Sequence, residues 1–98
     1  MSITITVRPF RLGTDKEAAL KPLEEAAEVF GAWQTLTHGA VLDSMTHQPQ
    51  ITEYRRTRFA DEIADCVTAC VNLADRYGLD LQAALDCVEG RNRERGRY

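Results

Sequence analysis

The sequence predicts an all-α fold: three main helices behind an N-terminal extended arm, in one domain that dimerises into a helical bundle. Three observations predict it. Apolar residues recur at three- and four-residue spacing over two long stretches, from Thr14 to about Thr37 and from about Thr52 to Tyr77. Gly78 followed by Asp80 marks the end of one helix and the start of the next. Strict period-two alternation occurs only over Ser2–Val7, where Ile3, Ile5 and Val7 alternate with hydroxyl residues before Pro9.

The arm spans residues 1–12 and the helical part residues 14–98. A lone strand cannot satisfy its own backbone, so Ser2–Val7 needs a partner, which a second subunit could supply. Thr14 opens the first helix, with Glu17 three residues on as a capping box. Its apolar positions are Ala19, Leu20, Leu23, Ala26, Ala27, Phe30 and Trp33, a helical stripe expected to face the core. Pro22 inside that run either kinks the helix or starts a second one, because proline removes an internal hydrogen bond but suits a first turn. From His38 to Gln50 the composition is mixed, and the stretch is expected to be a loop over the site, with a short helical turn at Ala40–Met45. The long second helix turns Phe59, Ile63, Cys66, Val67, Cys70, Val71, Ala74 and Tyr77 to one side. The last helix carries Leu81, Ala84, Leu85 and Val88 inward and ends in an Arg-rich tail.

With 98 residues, the chain buries only about 60–65% of its unfolded surface and gains from self-association. A net charge of −3 argues against a broad basic surface for nucleic acid. No run approaches the ~18 apolar residues of a membrane span, and no signal peptide opens the chain, so no membrane is expected and the location is cytoplasmic. Cys66, Cys70 and Cys87 lack the paired spacing of a zinc site and are expected as buried, reduced thiols. Acidic residues gather at Asp15–Glu28 and Asp61–Asp65. Arg55, Arg56 and Arg58, then Arg91, Arg93, Arg95 and Arg97, form two basic groups. This separation suits a metal-bound phosphate substrate, although before motifs are considered two solvated faces are the commoner reading.

The chemistry centres on two acid pairs. Glu25 and Glu28 are three apart on one helix, Glu62 and Asp65 on another, so each pair shares a face. All four border apolar stripes, and if those stripes pack together the carboxylates converge at the edge of the core. Carboxylates so placed are costly unless protonated or paired with a cation. A hard divalent ion that prefers oxygen ligands, such as Mg²⁺, answers that need.

The run Leu23-Glu24-Glu25-Ala26-Ala27-Glu28-Val29 resembles the E-E-x-x-E helix of MazG-like all-alpha nucleotide pyrophosphohydrolases. Asp61-Glu62-Ile63-Ala64-Asp65-Cys66-Val67 resembles their E-x-x-D helix. Asn72-Leu73-Ala74-Asp75-Arg76-Tyr77-Gly78-Leu79-Asp80-Leu81 is similar to their helix exit and final turn, and Asn92-Arg93-Glu94-Arg95 to their terminal N-x-x-R. The resemblance covers roughly Lys16–Phe30 and Phe59–Tyr98. It implies that Glu25, Glu28, Glu62 and Asp65 bind Mg²⁺ and that Asn92 and Arg95 lie near the phosphates. It also implies hydrolysis of a nucleoside or deoxynucleoside triphosphate to the monophosphate and pyrophosphate. Glu24 or Glu25 would receive the proton of the attacking water, and Lys21, one turn before Glu25, would reach a phosphate or remain a surface lysine. The chain departs from the family in its arm, in the length between Glu28 and Glu62, and in Val88, which stands where a lysine is usual.

A homodimer or homotetramer is expected, since three short helices do not enclose such a site. Two alternatives stand: a phosphoribosyl-ATP pyrophosphatase, whose acidic helix usually continues with Tyr-His where this chain has Cys66-Val67-Thr68-Ala69-Cys70, and a non-catalytic helical dimerisation or regulatory module. Trp33 and Tyr54 are readable as base-stacking rings or as packing residues. His38 and His47 have no catalytic or zinc spacing.

Overall fold

The computed structural model describes residues 2–46 and 49–98, those at 40–44, 46, 49 and 50 by backbone alone. Three helices follow one another: α1 (Asp15–Thr46), α2 (Pro49–Arg76) and α3 (Leu81–Glu94). Among the described residues there is no strand. His47 lies outside them.

The expected capping box starts α1. Glu17 N–H donates to the Thr14 hydroxyl oxygen at 3.2 Å, and Thr14 N–H donates to the Glu17 carboxylate at 3.3 Å. The helix then runs 32 residues through Pro22 and on to Thr46, well into the stretch expected as a loop. The polar residues just before that stretch do not break it. Thr35 and Thr37 return their hydroxyls to the carbonyls of Gly31 and Trp33, one turn back, and so stay within the helix. Pro49 stands at the first position of α2, where its missing N–H has no helical partner to lose.

α1 and α2 form an antiparallel hairpin. Its sense is fixed by contacts that run down the pair: Asp15 with Arg76, Pro22 with Cys66, and Gly39 with Arg55. The residues of α1 turned toward α2 are Ala18, Pro22, Glu25, Val29, Ala32, Leu36 and Gly39, all buried or half-buried. On α2 the matching row is Thr52, Arg55, Phe59, Glu62, Cys66, Ala69, Leu73 and Arg76. Steps of three and four alternate along both rows, the seven-residue period of a coiled-coil seam.

This seam is not the stripe expected from composition. Leu20 (42% exposed), Leu23 (68%), Phe30 (58%) and Trp33 (46%) face outward, with Phe30 and Trp33 stacked at 5.6 Å between ring centroids. α1 therefore has two apolar faces. The seam face of α1 carries Ala18, Val29, Ala32, Leu36 and Gly39 around Glu25, and both of its aromatic rings are left outside. Among the described residues the buried apolar ones are Ala18, Ala69 and Ala74, and no large side chain is fully buried.

A Schellman motif closes α2. Leu79 N–H donates to Ala74 O at 2.9 Å and Gly78 N–H to Asp75 O at 3.0 Å, with Gly78 at φ +63°. Nothing lies within 4 Å of a Cβ added at Gly78. Gly78→Ala is therefore expected to cost about 1 kcal/mol through backbone conformation alone, read as a lower urea midpoint at unchanged slope. Asp80 caps α3, accepting from Ala83 N–H at 3.0 Å.

α3 buries no residue. Leu81 is half-buried, while Ala84, Leu85 and Val88 are exposed instead of turned inward. The tight turn leads α3 away from the hairpin, and the molecule extends 49 × 39 × 20 Å.

Residues 2–12 have no regular secondary structure, because the alternating segment meets no ladder partner within the chain. The arm is tied down by α2. Asn72, 5% exposed, accepts from Phe10 N–H at 2.8 Å. The Arg76 guanidinium donates to the carbonyls of Leu12 and Gly13 and to Asp15.

Candidate metal centre

Glu25 and Glu62 occupy seam positions, where a coiled-coil pattern would place leucine. Glu25 is 7% exposed, and the Glu62 side chain is 15% exposed. Each has a cation one turn earlier on its own helix: Lys21 Nζ lies 3.3 Å from Glu25 Oε1, and Arg58 Nη2 lies 3.5 Å from Glu62 Oε1. The cation-before-acid order is the weaker one for supporting a helix, so helix stability does not account for either pair. The second oxygens, Glu25 Oε2 and Glu62 Oε2, are buried without a hydrogen-bond partner.

Glu28, exposed at the rim, completes the group. One carboxylate oxygen each from Glu25, Glu28 and Glu62 lie within 4.8 Å of one another. Leaving buried acceptors unpaired costs about 1–3 kcal/mol each, more if charged, so the geometry asks for a bridging cation or shared protons. Three hard oxygens, from carboxylates of which two keep a buried oxygen without a donor, fit a divalent ion that keeps some of its waters.

The other expected site residues are placed as follows. Asp65 is outside this group. It is exposed, one turn along α2 and one methylene shorter than a glutamate. With Lys21, Glu25, Phe10 and Asn72 it lines a cavity of about 210 Å³ beside the cluster. Glu24 is off the seam, its side chain 60% exposed and 3.7 Å from Lys21 Nζ. Lys21 is held by the two glutamates. The bond to Glu25 and that carboxylate's charge raise its pKa above the usual lysine value. Asn92 accepts from the Arg97 guanidinium at 3.0 Å, and Arg95 caps α3. Neither lines the cavities that border the acids.

Sequence reasoning missed the cleft on the other side of the cluster. It has a volume of about 710 Å³ and lies between α1 and α2, with Glu28 and Glu62 at one end and Ile51, Tyr54, Arg55 and Arg58 along α2. Gly39 makes room for Arg55, since a Cβ there would fall 2.3 Å from the guanidinium. The expected loop hid this cleft: its walls form because both helices continue past the point where the composition suggested an end.

Of the cysteines, only Cys66 is half-buried; Cys70 and Cys87 are exposed, contrary to the expectation of three buried thiols. Burial, then the neighbouring Cys70, pushes the Cys66 thiol above the ordinary cysteine range. The thiolate is the reactive form, so a raised pKa leaves less of it at any pH below that value. Iodoacetamide at pH 8 is expected to label Cys70 and Cys87 first and Cys66 last, with the gap narrowing as pH rises.

Together these features define an all-helical protein whose central hairpin carries a carboxylate cluster in its seam. No protein-family model, curated protein or solved structure matches the chain. No described helix is long and apolar enough to cross a membrane.

Proposed function

We propose that the protein is a Mg²⁺-dependent nucleotide pyrophosphohydrolase, converting a nucleoside or deoxynucleoside triphosphate to the monophosphate and pyrophosphate, and that it acts as a homo-oligomer. The observation that carries this reading is the carboxylate cluster of Glu25, Glu28 and Glu62 at the end of an Arg-lined cleft, whose two buried members each keep an oxygen without a hydrogen-bond partner. The MazG-like resemblance of the two acidic helices supports it.

Glu25, Glu28 and Glu62 would hold the ion, with Asp65 one turn away. When bound, Mg²⁺ supplies charge neutralisation for phosphate oxygens and a site for water. The chain's own residues supply the rest. Lys21 and Arg58 hold one oxygen of each buried glutamate and so fix the direction of the other. Glu28 is the exposed member of the cluster, and of the two acids expected to take the proton of the attacking water, Glu25 belongs to the cluster while Glu24 stands beside it, 3.7 Å from Lys21 Nζ. Arg55 and Arg58 bring positive charge to the cleft.

Purified protein incubated with a panel of triphosphates and Mg²⁺ is expected to release pyrophosphate. Release of orthophosphate alone, or no release from any triphosphate, would sink the proposal. A second reading, a non-catalytic dimerisation module, draws on the exposed stripe Leu20, Leu23, Phe30 and Trp33. That reading predicts self-association without turnover, so the same panel separates the two.

A further inference from the structure

We propose that the cleft formed by Ile51, Tyr54, Arg55 and Arg58 binds the nucleoside end of the substrate, with the Tyr54 ring as the stacking platform for the base. The inference rests on the metal-centre reading and extends it from phosphate chemistry to the choice of substrate.

Tyr54, Arg58 and Glu62 are four residues apart in succession, so they form one row along α2. Four helical residues advance ~6 Å, which puts the Tyr54 backbone position ~12 Å from that of Glu62. The row passes from aromatic to cation to metal-binding acid. A nucleoside triphosphate has the same order: base, bridging phosphate, and the phosphates held by metal. Arg58 is already anchored on Glu62 at 3.5 Å, and Tyr54 is 65% exposed at the far end of the same cleft. A volume of about 710 Å³ is within the range of small-molecule sites, about 300–1,000 Å³.

The lining also speaks to selectivity. Thr35 borders the cleft, but its hydroxyl hydrogen goes to Gly31 O at 3.1 Å, within α1. An aromatic face accepts any base, since every base has a π-face. The cleft should therefore require a base without strongly choosing among bases.

The test measures binding by calorimetry with Mg²⁺ present, using two probes: an α,β-imido adenosine triphosphate, which resists cleavage, and inorganic tripolyphosphate. Tyr54→Ala is expected to weaken the nucleotide analogue about tenfold, the size of one lost stacking contact, and to leave tripolyphosphate unchanged. Tyr54→Phe should bind both like the wild type. Arg58→Ala should weaken both probes. Circular dichroism melts confirm that each variant folds. Equal loss of both probes in Tyr54→Ala, or loss of neither, overturns the stacking site while leaving the metal centre in place. Wild-type protein that binds Mn²⁺ but neither probe does the same. Wild-type protein that binds no Mn²⁺ or Mg²⁺ overturns the metal centre, and the cleft assignment with it.

Discussion

Glu25→Gln is expected to abolish turnover and at the same time stabilise the metal-free protein. Losing even an outer partner of a metal ligand costs about 10–100-fold, so losing a ligand should cost at least about 100-fold in pyrophosphate release. The stability effect follows from the unpaired Oε2. Glu25 is a seam residue whose second oxygen has no donor, and Glu62 opposite is in the same condition. An amide of the same shape carries no charge and can donate toward the Glu62 oxygen. Without metal, the variant should gain about 1 kcal/mol, or ~4–8 °C in Tm for a domain of this size. With metal the order reverses, because an ion at about 100 times its Kd stabilises the wild type by about 2.7 kcal/mol and does little for the variant. Thermal melts with and without Mn²⁺ measure both signs. A variant as unstable as wild type lacking metal, and shifted as far by Mn²⁺, would show that the carboxylates are arranged for something other than a cation.

Phe30→Asp is expected to dissociate the proposed homo-oligomer and to cost the chain much of its helix content. The chain exposes 7823 Å², whereas a folded monomer of its mass exposes about 5600 Å². The surplus, about 2200 Å² per chain, is on the scale of obligate homodimer interfaces, which bury about 2,000–5,000 Å² in total. Leu20, Leu23, Phe30 and Trp33 on α1 and Leu85 on α3 contribute to it. A single chain whose buried apolar residues, among those described, are small alanines has little to hold it folded. Removing one large interface ring costs about 3–5 kcal/mol, comparable to the whole stability of a small domain. Size-exclusion chromatography with light scattering and far-ultraviolet circular dichroism check this. Unchanged mass and helicity in Phe30→Asp would mean that the outer face of α1 is not an interface.

The legible part of the fold is the part set by local chemistry. The Thr14–Glu17 box, the Gly78 exit and the Asp80 cap depend on residues within a few positions of one another, and each forms as its residues require. The acid spacings were legible for the same reason: residues three apart share a helical face whatever surrounds them. What the sequence could not show is which face meets which. α1 has two apolar rows, and the bulkier one looks like the core because side-chain volume is what composition reveals. The face that packs on α2 is the other row, and that choice puts Glu25 inside the seam rather than at its border. It also parts Asp65 from the other three acids.

The sequence by itself determined an all-helical chain with paired acids at shared-face spacing, because helical period and capping act over single turns. Only the tertiary structure decided that three of those carboxylates share one point, that Arg58 leads from them to Tyr54, and that the large apolar residues face out. Those relations depend on rotation and register between α1 and α2, which are set by packing across the seam and have no local signature.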